Sequence, residues 1–215
     1  MRMEPGDGIV AFDGTGREYI GKIVSVSRGG LKIKIDKVNS VEKEDKIFIT
    51  LAQSIPKMAK MDFIVEKAVE LGVAAIIPLM TERTVVHLRE DKQPQKRIHW
   101  QEVAVSASKQ CGRLDIPAVA PAMRFNDFLK EIKDFDAVLM ACLSGETRPL
   151  REAVSDFKGR RLLVMVGPEG DFSPGEIATA KSSGAKLVSL GRLVLRVDTA
   201  AIFMLSVLNY ENSSF

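Results

Sequence analysis

An apolar run that ends abruptly is the feature that most restricts how this chain can fold. Residues 162–166 (LLVMV) are all hydrophobic and are followed at once by Gly167-Pro168-Glu169-Gly170. A continuous apolar run is typical of a strand buried on both faces of a parallel sheet. The sequence Ser173-Pro174-Gly175-Glu176 then has the S-x-x-E spacing of a capping box, with proline at the first helical position. The chain is therefore predicted to pass from a buried strand, through a rigid glycine-containing loop, straight into a capped helix.

Strand and helix patterns alternate along most of the chain. Helices are predicted at about residues 56–71, 95–110, 125–132, 174–183 and 198–209, and apolar strands at 73–80, 137–143, 162–166 and 186–190. The first helix pattern includes Met58 and ends before Gly72, where a C′ glycine is expected. Strands that alternate with helices indicate an α/β fold, with a mostly parallel sheet and helices on both of its faces.

Residues 1–52 have a different pattern, which is typical of a small β unit. Short strands are predicted at residues 8–12, 19–26, 31–36 and 47–53, with glycine-containing turns between the first three. We expect a small barrel or sheet here and a domain boundary near residue 53, so that the domains are 1–52 and 53–215. The first strand begins almost at residue 1, which predicts a barrel that lacks a piece at its N-terminal end.

Composition excludes several classes of protein. With 46% hydrophobic and 27% charged residues in 215, the chain is expected to fold rather than to be disordered. The net charge of +3 permits a nucleic-acid partner without requiring one. Cys111 and Cys142 are far apart and have no histidine cluster near them, so neither a metal site nor a disulfide framework is expected. No apolar run approaches the roughly 18 residues of a membrane span, and a cytoplasmic protein is predicted.

Three strand ends are predicted to meet at one edge of the sheet, where ligands bind in open α/β folds. They follow the strands at 137–143, 162–166 and 186–190. A lone Gly-Pro pair has an ordinary interpretation as a strand-to-helix turn. However, the third loop contains Leu193, Val194 and Leu195, which would be wasted in an exposed turn but could line an adenine slot beside Arg196. The glycine patterns of dinucleotide and triphosphate loops are absent from the sequence.

The segments VGPEGDFSPGEI (166–177) and LGRLVLRVDTAA (190–201) together resemble the motifs of the RsmE-type methyltransferases of the SPOUT superfamily. The segments KMDFIVEKAVELGV (60–73), TERTVV (81–86) and SASKQCGR (106–113) resemble further family segments in the same order. The resemblance implies methylation of N3 of one uridine in small-subunit (16S) ribosomal RNA, with S-adenosylmethionine as cofactor. It also implies a C-terminal domain with a deep trefoil knot, an N-terminal PUA-like domain that binds RNA, and a homodimer.

The resemblance also implies which residues form the site. The following residues are predicted to bind S-adenosylmethionine: Leu143, Val166, Gly167, Pro168, Glu169, Gly170, Leu190, Gly191, Leu193, Val194, Leu195 and Thr199. Arg196 is the candidate catalytic residue, because a cation near O2 or O4 of uracil would stabilise the anion left when N3 loses its proton. Its alternative role is a salt bridge with Asp198. Glu169 is expected either to accept hydrogen bonds from the cofactor or to cap nearby backbone amides.

Other candidates concern RNA. Arg83 and Arg113 are predicted RNA contacts, because guanidinium groups suit phosphates and base edges. Lys57 and Lys60, at the start of a predicted helix, are expected either to guide RNA or to be ordinary surface charges. His87 and His99 fall in polar segments and are expected at the surface, so no general base is identified.

The chain departs from the family pattern at three positions: Asp171 replaces the second glycine of GPEGG, Leu193 replaces an arginine, and Asp198 replaces a glutamate. Two alternatives therefore stay open, a noncatalytic RNA-binding relative and an α/β enzyme that uses the GPEG loop for another small anion.

Overall fold

A computed structural model describes residues 3–40, 47–57, 60–85 and 88–212 of the chain. Met58 and His87 lie outside the described residues. The chain divides into two compact units. The N-terminal unit consists of Met1–Glu44 and Ser108–Ile116, and the C-terminal unit consists of Asp45–Ala107 and Pro117–Phe215. No helix among the described residues combines the length and the apolar character that crossing a bilayer requires.

The described strands of the N-terminal unit form an antiparallel sheet. They are β1 (Gly8–Phe12), β2 (Arg17–Ser27) and β3 (Gly30–Ser40), in the order β1-β2-β3. Asp13 shapes the turn between β1 and β2, because its carboxylate accepts hydrogen bonds from the hydroxyl and the N–H of Thr15 at 2.6 and 2.8 Å. These bonds lower the pKa of Asp13 to about 2. The first three predicted strands are confirmed, and β2 and β3 extend beyond their predicted ends.

A parallel sheet forms the centre of the C-terminal unit. Its described strands are β4 (Phe48–Ser54), β5 (Ala75–Met80), β6 (Ala118–Val119), β7 (Met123–Arg124), β8 (Ala137–Ala141), β9 (Arg148–Pro149), β10 (Arg161–Val166) and β11 (Lys186–Ser189). The order is β6-β5-β4-β10-β8-β11-β9, and β7 also pairs with β5. Every pair in this sheet is parallel, as predicted.

Helices follow most of these strands. The described α-helices are α1 (Lys60–Glu70), α2 (Gln93–Cys111), α3 (Phe125–Phe128), α4 (Leu150–Ser155), α5 (Pro174–Ser182) and α6 (Val197–Asn212). Single 3-10 turns are formed by Glu90–Lys92 and Ile132–Asp134. The predicted helix at 125–132 is therefore confirmed only in its first turn, and the short elements β6, β7, β9 and α4 were not predicted.

Both faces of the central sheet are buried, as the apolar runs indicate. In β10, Leu162 and Val164 pack in the same hydrophobic cluster as residues of α1, α2, α4 and α6. Leu163 and Met165 point to the opposite cluster, which includes residues of α3 and α5. Alternate residues of a strand point to opposite faces, so a strand between two helical layers must be apolar throughout. The predicted layers of helices on both faces are confirmed.

The strand predicted at residues 47–53 forms, but its predicted place in the N-terminal sheet is wrong. As β4 it pairs in parallel with β10 on one side and with β5 on the other. Its sequence explains the difference, because residues 49–54 are buried without alternation. That pattern belongs to a strand covered on both faces rather than to one in a half-exposed hairpin sheet.

Candidate active site

Three loops open at the same edge of the parallel sheet, as predicted. β10 pairs with β8, and β8 pairs with β11, so the carboxyl ends of the three strands are neighbours. Between the loops lies a cavity of about 480 Å³. The cavity is lined by Lys60, Ala141, Cys142, Leu143, Thr147, Val166, Gly167, Pro168, Glu169, Asp171, Ser189, Leu190, Gly191, Arg192, Leu193, Val194, Leu195, Arg196, Val197 and Ala200. Its volume is in the range of small-molecule and cofactor sites.

The predicted cofactor residues mostly line this cavity. All of them do so except Gly170, in the loop after β10, and Thr199, in the first turn of α6, which are not part of the lining. Sequence reasoning missed several lining residues, among them Cys142, Asp171 and Arg192. Asp171 and Arg192 could have been found, since they lie within the segments 166–177 and 190–201 on which the prediction rested.

Glu169 and Asp171 tie the loop after β10 to two neighbouring loops. The Glu169 carboxylate accepts a hydrogen bond from the backbone N–H of Lys57, in the loop after β4, at 2.9 Å. The Asp171 carboxylate accepts one from the backbone N–H of Leu143, in the loop after β8, also at 2.9 Å. Two roles were predicted for Glu169, and the structure shows one of them, the capping of a backbone amide, here that of Lys57.

Glu176 makes a third tie of the same kind, and it does so from a buried position. The predicted capping box is confirmed: the Ser173 N–H donates to the Glu176 carboxylate at 2.9 Å, and the Glu176 N–H donates to the Ser173 hydroxyl at 3.2 Å. The other carboxylate oxygen of Glu176 accepts from the backbone N–H of Glu82, after β5, at 2.8 Å. The ten residues 167–176 thus hold the loops after β4, β5 and β8 through three carboxylates.

Arg83, in the loop after β5, donates hydrogen bonds to the segment 167–176. Its Nη1 donates to the carbonyl oxygen of Gly170 at 2.7 Å and lies 3.4 Å from that of Phe172. Gly167 is buried, and a Cβ added there would lie 3.1 Å from the ring of Phe172, closer than almost any real Cβ contact. The loop after β10 is therefore held in one conformation from both sides.

The charged residues at the mouth of the cavity are arranged around Asp198. Its carboxylate accepts a hydrogen bond from the ammonium group of Lys60 at 3.0 Å. Partial burial acts to raise the pKa of Asp198, but the Lys60 hydrogen bond, the backbone and the charge of Arg196 outweigh it and hold the pKa below the usual 3.8. Arg196 is exposed, and its guanidinium has no hydrogen bond or ion pair within the described ranges. The alternative salt bridge between Arg196 and Asp198 is not formed, because Lys60 holds that carboxylate.

Cys142 lies at the end of β8 in the wall of the cavity. Burial, with the negative charge of Asp171, raises the pKa of its thiol from 9.0 to about 12. The thiol is therefore protonated at neutral pH and is no nucleophile, since the thiolate is the reactive form.

The residues predicted to contact RNA have different surroundings. Lys57 is exposed, Arg83 holds the Gly170 carbonyl, and Lys60 lines the cavity. Arg113 belongs to the N-terminal unit, where its side chain is 12% exposed and pairs with Asp115 at 2.8 Å. His99 is exposed and lies 2.8 Å from the carboxylate of Asp62. RNA contact by these four basic residues stays a prediction.

Two protein families match most of the chain. The family model described as the RNA methyltransferase domain matches residues 43–209, and the model described as the RNA methyltransferase PUA domain matches residues 1–36. The chain belongs to the RNA methyltransferase family. A relative in Bacillus subtilis (strain 168), the ribosomal RNA small subunit methyltransferase E, is 31% identical over 216 residues, which cover 98% of this chain and 84% of the relative. The resemblance to the RsmE-type methyltransferases is confirmed.

Solved structures of RNA methyltransferases and related proteins are also similar to this chain. A methyltransferase of Legionella pneumophila, in complex with the bound cofactor SAM, is 34% identical with a TM-score of 0.87, covering 97% of this chain and 85% of that one. The ribosomal RNA small subunit methyltransferase E of Neisseria gonorrhoeae, bound to S-adenosyl methionine, is 28% identical with a TM-score of 0.85, covering 97% and 84%. Both likenesses extend over nearly the whole of this RNA methyltransferase chain.

Proposed function

We propose that this protein methylates N3 of one uridine in small-subunit (16S) ribosomal RNA, with S-adenosylmethionine as methyl donor. The observation that carries the proposal is the cavity at the carboxyl edge of the sheet, which is formed by the two segments that resemble the RsmE-type motifs. The names of the Bacillus subtilis and Neisseria gonorrhoeae relatives support ribosomal RNA as the substrate. A ribosomal substrate would place the enzyme in the cytoplasm.

The cavity residues fit S-adenosylmethionine in both shape and chemistry. Leu193 and Val194 are 79% and 77% exposed and line the cavity, so they offer an apolar wall for the adenine base. Glu169 and Asp171 line it together with Lys60 and Arg192. Groups of both signs suit the ammonium and carboxylate ends of the methionine part. Gly170 would act by shaping the loop after β10, and Thr199 by its place in the first turn of α6.

The chemistry demands little from the protein beyond alignment and charge. When bound, S-adenosylmethionine supplies a methyl group activated by its sulfonium. Uridine N3 becomes a nucleophile only after it loses its proton. We propose that solvent water accepts this proton. The negative charge then spreads over N3 and the two carbonyl oxygens of uracil, and the free guanidinium of Arg196 stabilises it. Arg196 is suited to this role because Lys60, and not Arg196, neutralises Asp198.

The proposal also includes a knotted fold, an RNA-binding N-terminal domain and a homodimer. A deep trefoil knot of the SPOUT type is part of the proposal because of the RsmE-type relatives that the chain resembles. The PUA match to residues 1–36 supports an RNA-binding role for the N-terminal unit, while β4 and the match to residues 43–209 support assigning the chain from about residue 45 mostly to the methyltransferase domain. Exposed Phe63 on α1 and Phe203 on α6, at 44% and 42%, support a homodimer that covers them. Light scattering of the purified protein measures that assembly directly.

One experiment in two steps tests the function. Isothermal titration with S-adenosylmethionine and S-adenosylhomocysteine is expected to give saturable binding with one site per chain. Incubation with labelled cofactor and small subunits that lack the modification is then expected to label one uridine, mapped by nuclease digestion and mass spectrometry. Without saturable binding the methyltransferase function fails, and the cavity serves another small anion. Binding of cofactor and RNA without methyl transfer would identify a noncatalytic relative, and a label on another base atom would refute N3 specificity.

A further inference from the structure

One face of the N-terminal sheet carries a row of lysines. Lys22 on β2 lies directly opposite Lys34 on β3 in the antiparallel register. Lys32 is two residues from Lys34 on β3. The register shift between Ile23 and Ser25 places its extra residue on β2 and not on β3, so the Lys32 side chain is on the same face as that of Lys34. Lys37 pairs with Ile20, which is two residues from Lys22 on β2, and therefore joins that face. We call Lys22, Lys32, Lys34 and Lys37 the lysine face.

The register that builds the lysine face is fixed by the backbone. A Cβ added to Gly21 would lie 2.2 Å from the carbonyl oxygen of Lys34, so only glycine permits this approach of β2 to β3. Beside Gly21 the register skips Asp36 and places Lys37 opposite Ile20. The irregularity therefore aligns a third lysine of β3 with the row, and a one-residue slip would undo the arrangement.

The described residues leave most of the positive charge of the lysine face unneutralised. Each of its lysines is exposed, and none has a carboxylate within 4.0 Å among the described residues. Glu18 lies on the same face and accepts a hydrogen bond from the neutral side-chain amide of Asn39 at 3.1 Å, so it offsets only one of the four charges. Like charges directly opposite each other on neighbouring strands are unfavourable. A row with this excess of positive charge indicates a ligand with repeated negative charges.

Protection of a sheet edge accounts for lysines on the edge strand β3 but not for Lys22. Lysines are common on edge strands, where they prevent pairing with other chains. In the order β1-β2-β3, however, Lys22 lies on the middle strand, whose two edges are already paired. The charge on β2 therefore needs another explanation.

We propose that the lysine face binds the phosphate backbone of RNA. This inference rests on the proposed function, because it takes RNA as the substrate and assigns part of its docking to the N-terminal unit. Ammonium groups are point charges that contact phosphates without reading sequence. The lysine face thus gives affinity and orientation, while the choice of nucleotide is left to other parts of the protein.

The test is the salt dependence of RNA binding by the full chain. A fluorescein-labelled single-stranded RNA longer than about 16 nucleotides is titrated by anisotropy between about 50 and about 200 mM KCl. Lys22→Gln with Lys34→Gln is expected to lower the affinity and to reduce the slope of log K against log salt by about 1.4, about 0.7 for each lost phosphate contact. Lys22→Arg with Lys34→Arg keeps both charges and is expected to restore the slope.

A matched control separates this effect from a general loss of charge. Lys133 and Lys158 are exposed lysines of the C-terminal unit, and changing both to Gln removes the same charge. This control is expected to keep the wild-type slope. The Lys22 and Lys34 variant should also be no less stable to heat than the wild type, because it removes a repulsive pair.

Several outcomes would overturn the proposal. An unchanged slope in the Lys22 and Lys34 variant, or an equal fall in the control, would leave the lysine face without a specific role in RNA binding. Loss of binding to phosphatidylserine vesicles, with RNA binding intact, would assign the face to a membrane surface instead. Titration with S-adenosylhomocysteine keeps the two proposals apart. If S-adenosylhomocysteine binds normally and the salt slope of RNA binding is unchanged in the Lys22 and Lys34 variant, only the role of the lysine face is refuted. If S-adenosylhomocysteine does not bind but the slope changes as expected, only the methyltransferase function is refuted.

Discussion

The carboxylate of Asp171 accepts a hydrogen bond from the backbone N–H of Leu143, with 2.9 Å between Oδ2 and the nitrogen. The bond joins the loop after β10 to the loop after β8, and both loops line the cavity at the carboxyl edge of the sheet. Asp171 has a φ of 60°, in the left-handed region where aspartate is tolerated better than most residues with a Cβ. Its side chain thus makes a contact that a glycine at this position lacks, at a cost in backbone strain.

The first prediction concerns Asp171→Gly, which removes the contact and relieves the strain together. We expect the free energy of unfolding to change by less than about 1 kcal/mol, because the two effects oppose each other. Affinity for S-adenosylhomocysteine is expected to fall roughly tenfold, equivalent to about 1.4 kcal/mol, since the two walls are no longer joined. Urea unfolding and isothermal titration measure the two quantities.

Asp171→Asn is the matched control for this change. Its amide oxygen still accepts from the Leu143 N–H, and asparagine also tolerates a positive φ. The Asn variant should therefore keep most of the cofactor affinity. Wild-type affinity in the Gly variant would mean that the two loops are held independently of Asp171.

The second prediction concerns Arg83, which was expected to contact RNA and is found holding the Gly170 carbonyl at 2.7 Å. Arg83→Ala is expected to weaken binding of S-adenosylhomocysteine several-fold, because the loop after β10 loses one of its supports. The cofactor is titrated in parallel with labelled RNA. Unchanged cofactor affinity, with a salt slope for RNA that falls by about 0.7, would return Arg83 to RNA contact alone.

The sequence allowed the local features of the site to be predicted well. The capping box of Ser173 and Glu176 depends on residues three positions apart, and both of its hydrogen bonds are present. The meeting of three loops at one edge follows from the parallel strands, since all carboxyl ends then point the same way. Predictions of this kind require only residues that are close in the sequence, or the relative direction of the strands.

The remaining features depend on partners far away in the sequence. Glu169 bonds to Lys57 across 112 positions, and Glu176 to Glu82 across 94. No local pattern marks a backbone N–H as the partner of a distant carboxylate. The misplacement of β4 has a related cause, because strand propensity says that residues 48–54 are extended but not which sheet they join.

The third prediction concerns Glu176, whose buried carboxylate accepts the N–H groups of Ser173 and Glu82. Glu176→Ala leaves both donors without this acceptor, and we expect the free energy of unfolding to fall by about 2–4 kcal/mol. Ser173→Ala removes only the other half of the capping box and should cost about 1 kcal/mol. Urea unfolding of both variants checks the ranking, and equal losses would show that the bond to Glu82 contributes nothing.

The fourth prediction follows from the raised pKa of Cys142, which is about 12 in the folded protein against an ordinary value of 9.0. The folded state holds the thiol proton more tightly than the unfolded state does. The thiol therefore contributes stability that is fully present below pH 9.0 and is lost as the pH rises through about 12. In Cys142→Ala we expect the free energy of unfolding to fall less steeply with pH across this window.

Urea unfolding at several pH values within that window measures the slope. Both proteins carry Cys111→Ser, since the exposed Cys111 thiol would otherwise oxidise. Loss of the buried side chain will lower stability at every pH, so the slope and not the absolute value is the readout. Parallel curves for the two proteins would contradict the assignment.

The last prediction separates chemistry from cofactor binding at Arg196. Its guanidinium lines the cavity and is free of partners in the described part of the chain, while Lys60 neutralises Asp198 at 3.0 Å. If Arg196 stabilises the uracil anion, it acts in the transition state much more than in the bound ground state. Arg196→Ala is therefore expected to lower kcat by about 10²–10³ and to change the affinity for S-adenosylhomocysteine by less than about threefold.

Two variants make the interpretation of Arg196 firm. Arg196→Lys keeps the positive charge and should recover part of kcat, which a residue needed only for loop packing would not do. Arg192→Ala removes a neighbouring cation that also lines the cavity and is expected to weaken cofactor binding more than kcat. Equal losses of kcat and cofactor affinity in Arg196→Ala would move Arg196 into the cofactor site. The positive charge that stabilises the uracil anion would then have to come from another residue or from the RNA itself.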